Sequence, residues 1–391
     1  MMSPEPIVIT GAARTALGSL QGRLKSVPAP ALGAVAIRAA LDRSGLSPDA
    51  ADEVFMGCVL PAGLGQAPAR QASIGAGIPD HAGCTTVNKV CGSGMKAAML
   101  GHDAIRAGSA RIVVAGGMES MSNAPYLLTK ARGGYRLGHG AVYDHMFLDG
   151  LEDAYERGSL MGKFAEDTAE RYQFTRAIQD AFALQSLARA KQASANGSFA
   201  REIARVGADG AEVAEDELPM RADPAKIPLL KPAFREGGTV TAANSSGISD
   251  GAAALVLMAQ SEAERRAIRP LARIVGHASH AQAPAWFTTA PVGAINKLLE
   301  RIGWTTQDAD LYEINEAFAV VTLAAMRDLD LPAEKVNVNG GACALGHPIG
   351  ASGARIVVTL LNALSERGLK RGVASLCIGG GEATALAVEL V

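Results

Sequence analysis

Aromatic side chains are scarce in this chain: phenylalanine, tryptophan and tyrosine make up 4% of its 391 residues. A core with so few rings must be filled by small aliphatic groups, which points to Ala-rich helices packed closely on strands. Cysteine is also rare. The five cysteines, at 58, 84, 91, 343 and 377, form no C-x-x-C pair and do not cluster with histidines at metal-ligand spacing. A disulfide framework and a zinc-ribbon site are therefore not expected, and no metal is. No stretch reaches the roughly 18 uninterrupted apolar residues of a membrane helix. The run Pro6-Ile7-Val8-Ile9-Thr10 starts a strand almost at once, with no apolar signal segment before it. An excess of one charge is missing as well: 37 basic and 39 acidic residues are spread without a block of either sign, leaving a net charge of −2. That balance disfavours nucleic acid as a partner. The expectation is a reduced, soluble, cytoplasmic protein that binds neither membrane nor nucleic acid.

What the chain does have is glycine, 44 residues of it, within a composition that is 48% hydrophobic. Its length exceeds what one core usually supports, so a compact α/β protein with more than one core-bearing unit is expected. A repeat gives that expectation form. The run Ala110-Arg111-Ile112-Val113-Val114-Ala115-Gly116-Gly117-Met118-Glu119 is echoed by Arg371-Gly372-Val373-Ala374-Ser375-Leu376-Cys377-Ile378-Gly379-Gly380-Gly381-Glu382. Each is a buried-strand pattern that ends in glycines and an acid, and each follows a glycine turn and a helical pattern. Two halves with the same order imply a duplicated α/β unit with its two glycine turns at a shared crevice. The halves are read as residues 1–119 with 248–270, and residues 271–391. Residues 120–247, richer in loops, read as an insertion. Within it, a helical pattern runs from Arg176 to Asn196, with Ala181, Phe182, Leu184 and Leu187 on the expected inward face.

The chemistry concentrates in the glycine turns. In Val87-Asn88-Lys89-Val90-Cys91-Gly92-Ser93-Gly94 an extended run gives way to a helical one, and small neighbours let a carbonyl approach the thiol. A lone cysteine is more often a small buried hydrophobe. At the first turn of a helix, however, unpaired N–H groups favour thiolate. Of the seven histidines, His81, His102, His139, His145, His277 and His280 read as solvated or structural. His347 lies in Asn339-Gly340-Gly341 through Gly346-His347-Pro348-Ile349-Gly350-Ala351-Ser352-Gly353, where glycines permit close ligand approach and Pro348 fixes the chain after the imidazole. A rigid histidine titrating near neutrality suits removal of a thiol proton. Asn315, in Asn315-Glu316-Ala317-Phe318 at the start of an apolar helical run, reads first as a helix N-cap and second as a site residue. Cys377, before three glycines at a strand end, faces a gap and could move protons. The pattern Gly92-Ser93-Gly94-Met95-Lys96-Ala97 fits a loose dinucleotide motif, but the strand and the ribose-binding acid that motif needs are not in place.

These blocks together resemble the four signature blocks of the thiolases, the acetyl-CoA C-acyltransferases, and the resemblance spans nearly the whole chain. Ile9-Thr10-Gly11-Ala12-Ala13-Arg14-Thr15, Gly116-Gly117-Met118-Glu119 and Asn244-Ser245-Ser246-Gly247 are similar too. The resemblance implies a duplicated αβαβα layered α/β fold, with the insertion carrying coenzyme A contacts and tetramer contacts. It implies that His347 deprotonates Cys91, that Cys91 takes up an acyl group from acyl-CoA, and that Cys377 moves the α-proton. His347 and a water held by Asn315 would serve the enolate oxyanion, and the backbone N–H groups of Cys91 and Gly379 the tetrahedral adduct. Ser246 and Arg221 would lie along coenzyme A, which is a substrate and not a bound cofactor, and the assembly would be a homotetramer built as a dimer of dimers.

The activity implied is acetyl-CoA condensation and its reverse, with a 3-ketoacyl-CoA thiolase for longer or branched chains as the alternative. The chain departs from short-chain relatives near the acyl group: Leu160-Met161-Gly162 replaces His-Met-Gly, Phe287-Thr288-Thr289-Ala290-Pro291 replaces Met-Gly-Thr-Gly-Pro, and Glu382 replaces a methionine. Met161 is kept. A ketoacyl synthase would lack Cys377, and a non-catalytic carrier would lack Cys91.

Overall fold

The computed structural model describes residues 5–391. An 11-stranded sheet dominates it, and nine strands form one continuous path. In chain order these are β1 (Ile7–Thr15), β2 (Glu53–Gly57), β3 (Gly83–Val87), β4 (Ile112–Ser120), β5 (Ser249–Ala259), β6 (Ala272–Ala281), β7 (Leu311–Ile314), β8 (Arg371–Ile378) and β9 (Glu382–Leu390). Their spatial order is β7-β8-β9-β6-β1-β5-β4-β2-β3.

The duplication is visible in the pairing. In the first half β2 runs parallel to β4, β4 antiparallel to β5, and β5 antiparallel to β1. In the second half β7 runs parallel to β8, β8 antiparallel to β9, and β9 antiparallel to β6. The two half-sheets meet through a short antiparallel ladder, Ile7–Ile9 on β1 against Ala272–Ile274 on β6.

Helices complete five layers. On the outer face of the first half lies α1 (Ala29–Ser44), which starts on Ala29-Pro30 and stops at Gly45, whose φ of 71° only glycine adopts without strain. Between the half-sheets lie α2 (Ser93–Arg106) and, from the second half, a helix over Ser352–Arg367. That helix is apolar on nearly all sides, as Ile356, Val357, Val358, Leu360, Leu361 and Leu364 require in a central layer. The outer face of the second half is covered by helices over Ala290–Ile302 and Ala319–Asp328. Because α2 and the Ser352–Arg367 helix stand side by side, the glycine turns at their N-terminal ends come together, and that is where the catalytic loops lie.

Between β4 and β5 the chain forms helices over Met161–Tyr172 and Arg176–Ala195, a short hairpin and several loops. Two buried acids hold this segment down. Arg14 on β1 is fully buried and bonds to Glu202 at 2.5 Å and to Asp216 at 2.7 and 2.8 Å, with both partners also buried. The inward face of the Arg176–Ala195 helix differs from expectation. Ala181 is exposed, whereas Gln179, Asp180, Ser186, Leu187 and Ala190 are buried. The reason is polar: Asp180 accepts from Asn244 at 3.1 Å, and Ser186 donates to Glu316 at 2.7 Å. The helix therefore docks through hydrogen bonds as well as through an apolar stripe of Leu187, Ala190 and Ala193, with Leu184 beside it, packed on Phe199, Ile227, Ala344 and Leu345.

Candidate active site

Cys91 follows a strained turn. Strand β3 ends at Val87, and Val90 adopts φ 46°, the left-handed region, which costs a β-branched residue about 1–3 kcal/mol. The turn is over-determined: Asn88 Oδ1 accepts from Val90 N at 3.0 Å, Ser93 Oγ accepts from Lys89 N at 2.8 Å, and the same hydroxyl donates to Val90 O at 2.6 Å. Helix α2 begins at Ser93 with Gly92 as its cap, so Cys91 stands just outside the first turn.

From the other half, the backbone N–H of Gly379 pulls the Cys91 thiol down. A Cβ on Gly379 would stand 3.5 Å from Met161 Cε and 3.7 Å from Val90 Cγ1, which places Met161 beside the turn that carries Cys91. Lys89 and Glu382 form an ion pair across the same junction. The helix-start expectation of a ready thiolate is overturned. Burial is the largest influence on Cys91 and pushes its thiol up to about 11, outweighing the backbone N–H groups of Gly379 and Cys91 that pull it down.

Cys377, near the end of β8, is fully buried, and its thiol is raised far above the usual range by burial and then by the neighbouring Cys91. It sits in a cluster with Phe164, Phe287 and Phe318.

His347 is 5% exposed. Gly346 before it has φ 106°, and a Cβ there would lie 2.0 Å from Ser249 Oγ, so only glycine lets the loop pass. The His347 N–H donates to Gly247 O at 2.8 Å. On the ring, Nδ1 lies 2.5 Å from Ser352 Oγ, whose own proton goes to Pro348 O at 3.0 Å. Nδ1 must then carry hydrogen, and Nε2 is left as a bare acceptor, buried and without a partner among the described residues. Burial, followed by the positive charge of Arg355, pushes this imidazole down to about 3. The pair at rest is a neutral thiol and a neutral imidazole.

Asn315 is 1% exposed at the end of β7. It is no N-cap, because the following helix begins at Ala319 with Phe318 in the cap position. Both side-chain polar atoms lack partners among the described residues, which is what a water-holding amide requires.

Two buried acids that the sequence did not single out hold these loops. Glu119 accepts from Val59 N at 2.9 Å, Leu60 N at 3.1 Å and Gly350 N at 2.8 Å, tying β4 to the loop of His347. Glu316 accepts from Ser186, Asn337 and Cys343 N. Glu119 had a visible signal, the acid that closes the repeated glycine run. His145, read as solvated or structural, is structural: it is 4% exposed and bonds to Asp149 at 2.6 Å.

A cleft of about 680 Å³ lies over the site and is lined by Leu160, Met161, Arg221, Ser246 and Phe318 among others. Ser246 is fixed by its N–H to Ala317 O at 2.9 Å. Arg221 stands at the mouth, bonded to Ser19 at 2.9 Å and Glu217 at 3.0 Å. Phe287 departs from its expected position as a wall of the cleft. It is 3% exposed and packs edge-on behind Phe318, with centroids 6.4 Å apart, because burying the ring in the aromatic cluster removes more apolar surface than lining the cleft would.

Two cysteines and a bare imidazole gathered from both halves of a duplicated fold agree with the family comparison. Residues 7–261 match the thiolase N-terminal domain, and residues 268–390 match the thiolase C-terminal domain. The chain belongs to the thiolase family. Acetyl-CoA acetyltransferase 2 of Arabidopsis thaliana is 50% identical, covering 100% of this chain and 98% of that protein. The acetyl-CoA acetyltransferase of Cupriavidus necator is 50% identical, covering 98% of this chain and 99% of that protein. The crystal structure of the Bacillus anthracis acetyl-CoA acetyltransferase superposes with a TM-score of 0.96 at 42% identity, and each chain is covered in full. The Ascaris suum Acat5 thiolase, solved in complex with coenzyme A, gives 0.95 at 44% identity, covering 99% of this chain and 100% of that one.

Proposed function

We propose that this thiolase is an acetyl-CoA acetyltransferase, which joins two acetyl-CoA into acetoacetyl-CoA and coenzyme A and runs the reverse thiolysis. The observation that carries the mechanism is the meeting of the two halves at Cys91, where a Cβ on Gly92 would lie 2.4 Å from Ile378 Cδ1 and the buried Cys377 is a neighbour of Cys91. In this reading Nε2 of His347 takes the Cys91 proton as the sulfur attacks the thioester carbonyl, because neither group is charged beforehand. The N–H groups of Cys91 and Gly379 receive the developing oxyanion, and coenzyme A leaves with the proton of Cys377 while His347 keeps the proton of Cys91. Cys377, now a thiolate, accepts the α-proton of a second acetyl-CoA. The enolate oxygen is held by protonated His347 and a water on Asn315, the enolate carbon attacks the acyl group on Cys91, and the released Cys91 sulfur takes its proton back from His347. Coenzyme A, the substrate that this cycle uses and releases, lies along the cleft past Ser246 with its polar end toward Arg221, and no bound cofactor is required.

Acetyl is favoured as the acyl group because Phe318, backed by Phe287 and Phe164, makes a rigid wall at the floor. Relatives at 50% identity carry the same assignment in their names. Steady-state thiolysis of 3-oxoacyl-CoA substrates of increasing length tests it: kcat/KM should fall at least about tenfold beyond four acyl carbons. Undiminished rates with long chains would instead make the protein a 3-ketoacyl-CoA thiolase of fatty-acid metabolism.

For the assembly we propose the homotetramer. Support comes from β3, which ends the strand path and is partly exposed, and from the exposed Tyr126, Leu128, Leu137, Val142 and Tyr143 on the inserted segment. No helix among the described residues is long and apolar enough to cross a membrane. The cytoplasm is the compartment we propose, where the five free cysteines would stay reduced.

A further inference from the structure

His102 and Asp103 lie near the C-terminal end of α2, roughly 15 Å of helix from the nucleophile. His277 lies on β6, in the other half of the molecule. His102 Nδ1 is 3.0 Å from Asp103 Oδ1, His277 Nε2 is 2.9 Å from the same oxygen, and the two ring nitrogens are 3.2 Å apart. The rings meet edge to face, with centroids 4.9 Å apart and an interplanar angle of 88°. Hydrogen bonds to one carboxylate oxygen account for two sides of this triangle. The third side, nitrogen to nitrogen, closes only where one ring leaves its nitrogen bare to accept, so three atoms able to ligate converge on one point. A tetrahedral dication with bonds of about 2.0–2.1 Å sets its ligand atoms about 3.3 Å apart, which is the size of the triangle.

We infer that His102, Asp103 and His277 form a site for one late first-row divalent cation, Zn²⁺ in preference to Mg²⁺ or Ca²⁺, that ties α2 to β6. Two imidazoles and one carboxylate are borderline donors, which suit zinc, nickel or copper, whereas magnesium and calcium require a shell of oxygens. Arg106 and Arg301 line the same cleft, and Arg301 donates to His277 O at 2.8 Å. With one carboxylate against these cations, binding by charge alone is weak, and imidazole bonding has to supply the affinity. The imidazole side chains are sheltered, at 12% and 13% exposure, while the carboxylate at 52% opens the remaining position to water or an anion. His102 and Asp103 are adjacent, but His277 lies 174 residues beyond Asp103, which is why no metal spacing was legible there.

The test is binding itself and is independent of the enzymatic reading. The chelator-stripped enzyme is titrated with Co²⁺ as a spectroscopic stand-in for Zn²⁺. One equivalent per chain should bind with d–d bands and no thiolate charge-transfer band, and metal should raise the thermal midpoint. His102→Ala, His277→Ala and Asp103→Asn should each weaken binding at least about tenfold, with circular dichroism confirming the fold, and Cys91→Ser should bind as the parent does. Absence of uptake, a thiolate band, loss of binding in Cys91→Ser, or unchanged binding in His277→Ala would each overturn the site.

Discussion

At Cys91 burial and backbone hydrogen bonding pull in opposite directions, and burial is the larger, leaving the thiol at about 11. Far below that value the thiolate fraction grows in proportion to hydroxide. Alkylation by iodoacetamide is therefore expected to rise about tenfold per pH unit from pH 7 to 9, with acetyl-CoA protecting, and a plateau below pH 8 would contradict the raised thiol. The two cysteines should separate by function. Cys91→Ala loses acyl-enzyme formation, whereas Cys377→Ala still acquires radiolabelled acetyl from acetyl-CoA but no longer exchanges α-protons; equal acylation defects would refute the division of roles. His347 links the site to stability. Its folded pKa lies near 3 against 6.5, so the stabilisation from keeping the ring neutral is present above about pH 6.5 and is lost as pH falls toward 3. Between pH 7 and 4 the thermal midpoint of His347→Asn should fall less steeply than that of the parent.

Among the elements, β4 carries the device that joins the halves. Its Gly117 faces the loop of His347 so closely that a Cβ would lie 2.0 Å from Gly350 O, and the next turn of the contact is made by the Glu119 carboxylate. Glu119→Gln points an N–H toward a buried N–H, which costs about 1–3 kcal/mol and shifts the loop of His347. The expected result is a lower thermal midpoint with a fall in kcat larger than the change in KM for coenzyme A; a variant that loses stability while keeping kcat would limit Glu119 to the fold. Here the sequence was only half legible. The Gly117-Met118-Glu119 run showed that a repeat ended there, but not that its acid reaches across to Gly350, because such a partner is set by tertiary approach. The Arg176–Ala195 helix was legible as a helix and, through Leu184 and Leu187, in part of its inward face; the polar part, where Asp180 and Ser186 meet Asn244 and Glu316, was not.

For the whole molecule, light scattering should report a tetramer, and a monomer at micromolar concentration would remove the role proposed for the exposed strand β3 and the inserted apolar residues. The layered architecture was legible because the two halves repeat one strand and helix order. Positions in the cleft were less so: Phe287 is a ring in both readings, but only packing decides whether it lines a cavity or backs one. The joining of Gly379 and Cys91 has a further consequence in time. Cys91 leaves the ribosome long before Gly379, so the proposed oxyanion site exists only once the closing hairpin of β8 and β9 has paired with β6.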